Sequence, residues 1–216
     1  STESSRTALN QNGFILSMNK TKKPADRLIF HVDVNSAFLS WESARRMKEG
    51  LPDLRDIPAC IGGDPAKRTG IVVAKSIPAK KCGVQTGEPV AMALRKCPNM
   101  VIVPSDFDLY VKCSRAFKKI CASYTPVMES FSIDEVFLDM TGTSLLYPDP
   151  IAAAHEIKDR ISDELGFTVN VGISTNKLLA KMASDFEKPN KVHTLFPEEI
   201  PAKMWPLPVF LRSEEH

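Results

Sequence analysis

Three acidic residues occur among apolar neighbours. Asp33 lies within the apolar run 29–34, and Asp134 and Glu135 lie within the run 131–137. An ionised carboxylate in such surroundings is costly unless a cation or a hydrogen-bond partner compensates its charge. Three carboxylates at one place repel one another unless a divalent cation is present, and hard oxygen ligands suit Mg²⁺. Two such ions can activate an attacking hydroxyl and stabilise a leaving phosphate, so the acids suggest phosphate chemistry.

The adjacency of Asp134 and Glu135 limits how they can share a site. Neighbouring residues of a regular strand point to opposite faces, so both side chains can reach one site only if the chain turns or bulges there. A tight hairpin at 133–135 would achieve this, and aspartate is common in turns. On spacing alone a second interpretation stays open, in which Asp134 and Glu135 form a solvated hairpin tip and Asp33 is hydrogen-bonded at a strand end.

Alternating strands and helices must bring these acids together. The patterns predict an α+β fold whose βαββαβ order is that of a ferredoxin-like sheet, with residues 50–105 inserted after the first helix. Asn35 or Ser36 is expected to cap that helix, because short polar side chains favour this position. In a ferredoxin-like sheet the first strand adjoins the later strand pair, which would bring the three acids to one edge. The predicted strands are 28–34, 58–62, 70–75, 100–104, 127–133, 135–140 and 168–173, and the main helices are 36–48, 106–124, 151–165 and 176–186.

Composition excludes several classes of protein. The 216 residues include 28 Lys and Arg against 26 Asp and Glu, so the net charge of +2 excludes an overall basic coat for nucleic acid. No apolar run reaches the roughly 18 residues that a membrane helix needs. The five cysteines are odd in number and contain no CxxC pair, which predicts free thiols in a reducing cytoplasm. Residues 1–27 and 210–216 are expected to be tails.

Three stretches in order along the chain carry a family resemblance. They are HVDVNSAF from His31, FSIDEVFLD from Phe131 and VGISTNKLLAK from Val171, and KPN follows the last of them at Lys188. Together they resemble the Y-family translesion DNA polymerases, of the DNA polymerase IV and UmuC/ImpB/MucB/SamB type.

The resemblance spans about residues 28–209 and implies a division into lobes. It implies a palm formed by 28–49 and 106–209 and a small α/β fingers lobe formed by 50–105. The thumb and little finger of the family are expected to be absent, because the sequence ends soon after the region of resemblance.

The resemblance also implies which residues hold metal. Asp33, Asp134 and Glu135 match the family's catalytic carboxylates, which would hold two Mg²⁺ ions for which Mn²⁺ can substitute. Val34 matches a position that contributes its main-chain carbonyl as a further ligand.

Five further positions are implied to bind the nucleotide. Ser36 and Ala37 would offer main-chain N–H groups to the triphosphate at a helix start, where free donors favour anions. Phe38 matches the steric gate, a ring that excludes a ribose 2′-hydroxyl. Lys181 matches a triphosphate-binding lysine, and Lys80 stands where the family has a phosphate-binding arginine.

Two departures from the family concern the fingers lobe. Ile77 stands where many members have a phosphate-binding Tyr, and Ala74 stands where many have a Thr. Lys80 supplies charge without the bidentate fork of arginine. We therefore expect weaker binding of the nucleotide triphosphate.

The activity implied by the resemblance is template-directed transfer of a nucleotide from a dNTP to a DNA primer, with error-prone bypass of lesions. Its implied partners are primer–template DNA, dNTP and, through a C-terminal part outside this sequence, a sliding clamp, with no membrane involved. An alternative is a truncated, weak or silent paralogue that binds DNA or a polymerase. A nucleotide cyclase would share the ferredoxin-like palm, but Gly62-Gly63-Asp64 lies in the predicted fingers and not at the hairpin.

Overall fold

Residues 26–205 are described by a computed structural model, so the predicted tails lie outside the described residues apart from 26 and 27. The described strands are β1 (Ile29–Val34), β2 (Ala59–Ile61), β3 (Ala74–Lys75), β4 (Val101–Val103), β5 (Met128–Ser130), β6 (Glu135–Asp139), β7 (Val169–Ser174) and β8 (Val192–Thr194). The described α-helices are α1 (Ala37–Lys48), α2 (Ile77–Lys81), α3 (Val90–Lys96), α4 (Phe107–Ala122), α5 (Pro150–Leu165), α6 (Lys177–Ser184) and α7 (Ile200–Lys203).

The larger sheet has the strand order β5-β6-β1-β7-β8, and β1 pairs antiparallel with both β6 and β7. Without β8, which pairs parallel with β7, this is the order of a ferredoxin-like sheet. All six residues of β1 are buried, which explains why its sequence is a nearly continuous apolar run. The predicted α+β class, with β1 in the centre of the sheet, is confirmed.

Two layers of helices cover the sheet. On one face, side chains of β1 such as Phe30 and Val32 share the main core with Phe117 of α4 and Ile157 of α5. On the other face α6 packs so closely on β7 that a Cβ atom at Gly172 would lie 1.9 Å from the carbonyl oxygen of Ala180. Only glycine therefore permits this approach, which fixes α6 and its lysines beside β1.

A smaller sheet with the order β3-β2-β4 lies within residues 50–105, the region that we call the fingers lobe. It has its own buried cluster, which includes Cys60, Val84 and Val90. Ala59 and Ile61 of β2 instead belong to the main core, so the lobe packs against the rest of the molecule through this strand.

Several local predictions are corrected by the structure. The strand predicted at 70–75 is confined to Ala74–Lys75, because Gly70 adopts φ 100°, outside the range of a strand. A Cβ atom on Gly70 would lie 2.5 Å from the Cα atom of Gly63 across the loop. The apolar spacing of helix 151–165 predicts that Ile151 faces inward, but 48% of it is exposed, since the buried stripe of α5 begins at Ala153. Helix α3 and strand β8 were not predicted at all, because both are short and flanked by turn residues.

The predicted side-chain cap of α1 is also absent. Ser36 occupies the cap position with φ 45° and makes no capping hydrogen bond. The Asn35 side chain instead accepts from the Thr168 hydroxyl at 2.9 Å and from the Asn190 N–H at 3.0 Å, and donates to Asn170 Oδ1 at 3.1 Å. Tertiary partners thus outweigh the local preference of asparagine for a helix start.

Candidate active site

The three acids lie next to one another along the paired strands β1 and β6. Asp33 stands directly opposite Glu135 in the antiparallel register, and the Val34 N–H donates to the carbonyl of Asp134 at 3.0 Å. The chain turns just before β6, where the N–H groups of Phe131 and Ser132 both donate to the carbonyl of Glu135. The predicted turn is therefore present, and it places Asp134 outside the regular strand.

The turn also joins two of the carboxylates. The Ser132 hydroxyl lies 2.8 Å from Asp134 Oδ1 and 3.1 Å from Glu135 Oε2. Lys118 of α4 stabilises the turn, since its ammonium donates to the Ser132 carbonyl at 2.6 Å. The side chains of Asp134 and Glu135 consequently face the same space, which a regular strand would not allow.

Asp33 is buried and paired with a lysine from a distant part of the chain. Its side chain accepts from Lys188 Nζ at 2.6 Å, and the same ammonium lies 3.1 Å from Asp185 Oδ1. Burial raises the pKa of Asp33 to about 6; Lys188 opposes this shift, and the charges of Asp134 and Glu135 add to it. The acid is therefore held ionised at neutral pH chiefly through its lysine contact.

Glu135 contacts two basic side chains on the face covered by α6. Its Oε1 lies 3.1 Å from His31 Nε2 and 3.2 Å from Lys181 Nζ. Burial opposes the ionisation of Glu135, but the contacts with His31, Lys181 and Ser132 outweigh it and hold the pKa of the carboxyl below its usual value. Burial lowers the pKa of His31 to about 4, so its ring is neutral at pH 7 and donates Nε2–H to the carboxylate.

Among residues 26–205, no three His, Cys, Asp or Glu side chains are already close enough to enclose a metal ion. The carboxylates of Asp33 and Glu135 engage the ammonium groups of Lys188 and Lys181 instead. The donor set nevertheless has the chemistry of a divalent-cation site, because hard carboxylate oxygens from two adjacent strands converge and repel one another.

The residues after β1 form an aromatic shelf beside the acids. Phe38 is half-buried, and its ring centroid lies 4.7 Å from that of Tyr110, 6.0 Å from Trp41 and 6.3 Å from Phe107. Ser36 is exposed immediately before α1, at the end of the strand that carries Asp33. Ala37, the first residue of α1, is buried. The ring of Phe38, the predicted steric gate, therefore packs against three other aromatic rings.

The fingers lobe carries the remaining predicted residue, Lys80. It is exposed on α2 and forms no ion pair within the described part of the chain. Helix α2 is fixed by Ser76, whose hydroxyl oxygen accepts from the Ala79 N–H at 3.2 Å and donates to the Ile57 carbonyl at 2.7 Å. The structure thus brings Lys181 to the acids, whereas no contact joins Lys80 to them.

Sequence reasoning missed three contributors to this site: Lys188, His31 and Ser132. Lys188 belongs to the KPN stretch noted in the sequence, but nothing local indicates a contact with Asp33, 155 positions away. His31 had a detectable signal, because it precedes Asp33 by two residues in a strand and so shares its face. The Asn170 amide helps to position Lys188, since it donates to the carbonyls of Ser184 and Glu187 and so ties the loop before Lys188 to β7.

Comparison with known proteins agrees with this geometry. The sequence profile of the impB/mucB/samB family matches residues 32–185, which include all three acids and Lys181. The chain belongs to the impB/mucB/samB family. The nucleotide cyclase alternative is thereby excluded.

Among curated relatives, DNA polymerase IV of Clostridium acetobutylicum is 53% identical over 184 residues, which cover 85% of this chain and 46% of that protein. DNA polymerase IV of Enterobacter sp. (strain 638) is 39% identical and is covered to 50%. The chain therefore spans about half the length of the curated relatives it matches.

Solved structures show the same architecture. DinB from Sulfolobus solfataricus matches with a TM-score of 0.73 at 26% identity, over 85% of this chain and 52% of that one. An insertion ternary complex of Dbh DNA polymerase matches with the same TM-score over 53% of its chain. The predicted resemblance to Y-family polymerases is confirmed.

Two predictions from composition can be checked on the described residues. All five cysteines lie in this part of the chain and are free thiols, as expected. No helix between residues 26 and 205 is both long and apolar enough to cross a membrane.

Proposed function

We propose that this chain is the catalytic palm and fingers portion of a lesion-bypass DNA polymerase, which transfers a nucleotide from a dNTP to the 3′ end of a DNA primer. The observation that carries the proposal is the pairing of Asp33 with Glu135 on adjacent strands, with Asp134 beside them at the turn. The family's relatives are named as polymerases, which supports this interpretation over a silent paralogue.

Asp33, Asp134 and Glu135 would hold the divalent cations, with the main-chain carbonyl of Val34 as a further ligand. We propose two Mg²⁺ ions, which Mn²⁺ can replace. When bound, the ions supply charge neutralisation to an attacking hydroxyl and to a leaving pyrophosphate. The chain's own contribution is to hold the carboxylates together despite their repulsion, through the turn at Ser132 and the strand pairing.

Two lysines beside the acids would change partners when the divalent cations bind. Lys188 and Lys181 now neutralise Asp33 and Glu135, and cations at those carboxylates would release the ammonium groups toward an anion. A triphosphate is the anion that the proposed reaction supplies. We therefore assign triphosphate contacts to Lys188 as well as to Lys181.

The nucleotide itself would lie beyond β1, over the first turn of α1. Ser36 and Ala37 would direct main-chain N–H groups to its phosphates, as free donors at a helix start favour anions. Phe38 would meet the sugar, and its contact with Tyr110 gives the ring the rigidity that a steric gate needs. Lys80, from the fingers lobe, would approach the phosphates from the opposite side.

The finer assignments follow from the same proposal. Low-fidelity bypass of damaged templates, primer–template DNA and dNTP as partners, and a sliding clamp bound outside this sequence are the expected properties of such an enzyme. The free thiols favour a reducing, cytoplasmic location. The division into palm (28–49 and 106–209) and fingers (50–105) belongs to this proposal too.

Primer extension tests the function directly. The purified chain is incubated with a primer–template duplex and dNTPs in Mg²⁺ or in Mn²⁺, and extension of the primer by templated nucleotides is the expected result. Extension should stop without a divalent cation and in Asp134→Ala. Binding of the duplex without any extension under either cation would contradict the proposal and favour a binding module.

A further inference from the structure

An exposed aromatic ring stands at the turn that carries the acids. Phe131 is 55% exposed and belongs to none of the buried clusters of the described residues, so the fold does not need its ring as filler. Its main-chain N–H donates to the carbonyl of Glu135 at 3.1 Å, which fixes the residue beside the carboxylates.

The ring is also held in orientation. It meets the Phe137 ring edge-on, with centroids 5.6 Å apart and an interplanar angle of 77°. The ammonium of Lys181 lies 4.6 Å from the Phe131 centroid and 3.2 Å from Glu135 Oε1. A fixed, solvent-facing ring next to a cation and a cluster of carboxylates is a surface suited to a nucleotide, whose base is flat and whose phosphate is anionic.

The position of the ring in the sheet indicates which nucleotide it meets. Ser36 and Phe38, the proposed contacts of the incoming nucleotide, follow β1, whereas Phe131 lies at the turn between β5 and β6. The two aromatic residues thus flank the acids from neighbouring strand ends. In the proposed reaction the other reactant beside the acids is the primer terminus.

We propose that the Phe131 ring packs against the 3′-terminal nucleotide of the primer and positions its hydroxyl at the carboxylates. This inference rests on the proposed function, within which Phe131 is a further positioning residue. Lys181 contacts both the ring and Glu135, and so connects Phe131 to the triphosphate contact proposed for this lysine.

The test uses a primer–template duplex with 2-aminopurine as the 3′-terminal primer base, whose fluorescence reports stacking. With the unaltered chain, binding should change this fluorescence. Phe131→Ala should abolish the change and weaken duplex binding about tenfold, the usual scale for losing one base–aromatic contact. The KM for dNTP should change less than the affinity for the duplex, because Phe131 reaches the incoming nucleotide only through Lys181.

Matched variants separate positioning from folding. Phe131→Tyr should restore both the signal and the affinity, and Phe131→Leu should restore neither fully, because it keeps apolar bulk without a flat face. Ile151→Ala removes a comparably exposed apolar side chain from α5, on the opposite face of the sheet, and should change neither the fluorescence nor the affinity for the duplex.

Two outcomes would overturn the inference in different ways. If Phe131→Ala leaves the 2-aminopurine signal and the affinity unchanged, the inference is overturned and the proposed function is not. The same holds if the variant loses only thermal stability, since Phe131 would then have a structural role. Failure of the unaltered chain to bind the duplex would remove the proposed function and this inference with it.

Discussion

At the palm site the carboxylates of Asp33 and Glu135 contact residues from other segments of the chain, whereas Lys80 in the fingers lobe stands exposed and has no ionic partner among the described residues. Asp33 is held by Lys188 and Glu135 by His31 and Lys181, through contacts that span more than 40 positions. The palm carboxylates are therefore held by contacts within the protein itself. The fingers lobe instead offers an exposed charge.

The difference has a physical basis in what each region must do. Carboxylates that repel one another need a surrounding framework of strands, hydrogen bonds and counter-charges to stay together. A lone exposed lysine needs no such framework, but it loses conformational freedom when it binds. Substitutions in the palm should therefore affect catalysis strongly, and substitutions in the fingers lobe should mainly change nucleotide affinity.

The largest effect is expected for Asp134→Ala, which removes a carboxylate that no other residue replaces. We expect the rate of primer extension to fall about 10³-fold, the scale seen when one charge-stabilising group is lost. Single-turnover extension measures this. Asp163→Ala, which removes an exposed acid from α5, is the control and should extend at the normal rate. A fall of less than about fivefold for Asp134→Ala would contradict the central place of this acid.

Lys188→Met tests the counter-charge of Asp33. Without the lysine the pKa of Asp33 should rise above about 6, because burial and the neighbouring acids then act unopposed. A proton on Asp33 competes with a cation, so activity should fall as the pH decreases through this pKa, and the decline should begin at higher pH in the variant. At about pH 5, below both pKa values, we expect about a tenfold loss relative to the unaltered chain, the scale of one pKa unit.

The pH profile of extension and titration of Asp33 by NMR in the metal-free protein provide the measurements. Lys191→Met is the matched control, since the ammonium of this exposed lysine lies 3.8 Å from Glu187 and away from Asp33. An unshifted Asp33 titration in Lys188→Met would show that the lysine contact does not govern this acid.

A moderate effect is expected in the fingers lobe. Lys80→Ala should raise the KM for dNTP about tenfold, the scale of one hydrogen bond to a charged group, while the melting temperature stays constant because the side chain is exposed. Lys80→Arg should lower the KM, since its fork can bind a phosphate through two donors. Lys81→Ala, which alters the exposed neighbour, serves as the control. An equal rise of the KM in both alanine variants would indicate a general electrostatic effect and contradict a specific phosphate contact of Lys80.

The smallest effect is expected for Ile77→Tyr on α2, which restores a polar group absent from this chain. Ile77 is 60% exposed, so a larger ring can be accommodated. The KM for dNTP should fall about threefold, the scale of one solvent-accessible hydrogen bond. Met92→Tyr on α3 adds the same group elsewhere in the lobe, and an equal gain there would contradict a specific phosphate contact.

The sequence indicated elements whose pattern is local. The apolar run around Asp33 predicted β1 because a central strand buries both of its faces, and the turn before Glu135 followed from the need of two adjacent acids to share one side. Short elements such as α3 escaped detection, since seven residues between Pro89 and Cys97 carry too little periodicity.

The cap of α1 illustrates a second kind of failure. Asn35 has the right residue type for a cap, yet its side chain binds Thr168, Asn170 and Asn190. These partners are more than 130 positions away, so their attraction is invisible to any local rule. Asn170 of this network also binds the carbonyls of Ser184 and Glu187 and so positions the loop that precedes Lys188. Because that position depends on distant contacts, the sequence did not reveal Lys188 as the partner of Asp33.

By itself, the sequence determined which residues can carry the chemistry and which strands present them, because residue type and period-two burial are local properties of the chain. The tertiary structure alone decided how those charges are balanced. It set Lys188 on Asp33, Lys181 and His31 on Glu135, and left Lys80 exposed, since electrostatic compensation depends on distances between segments that only the folded chain brings together.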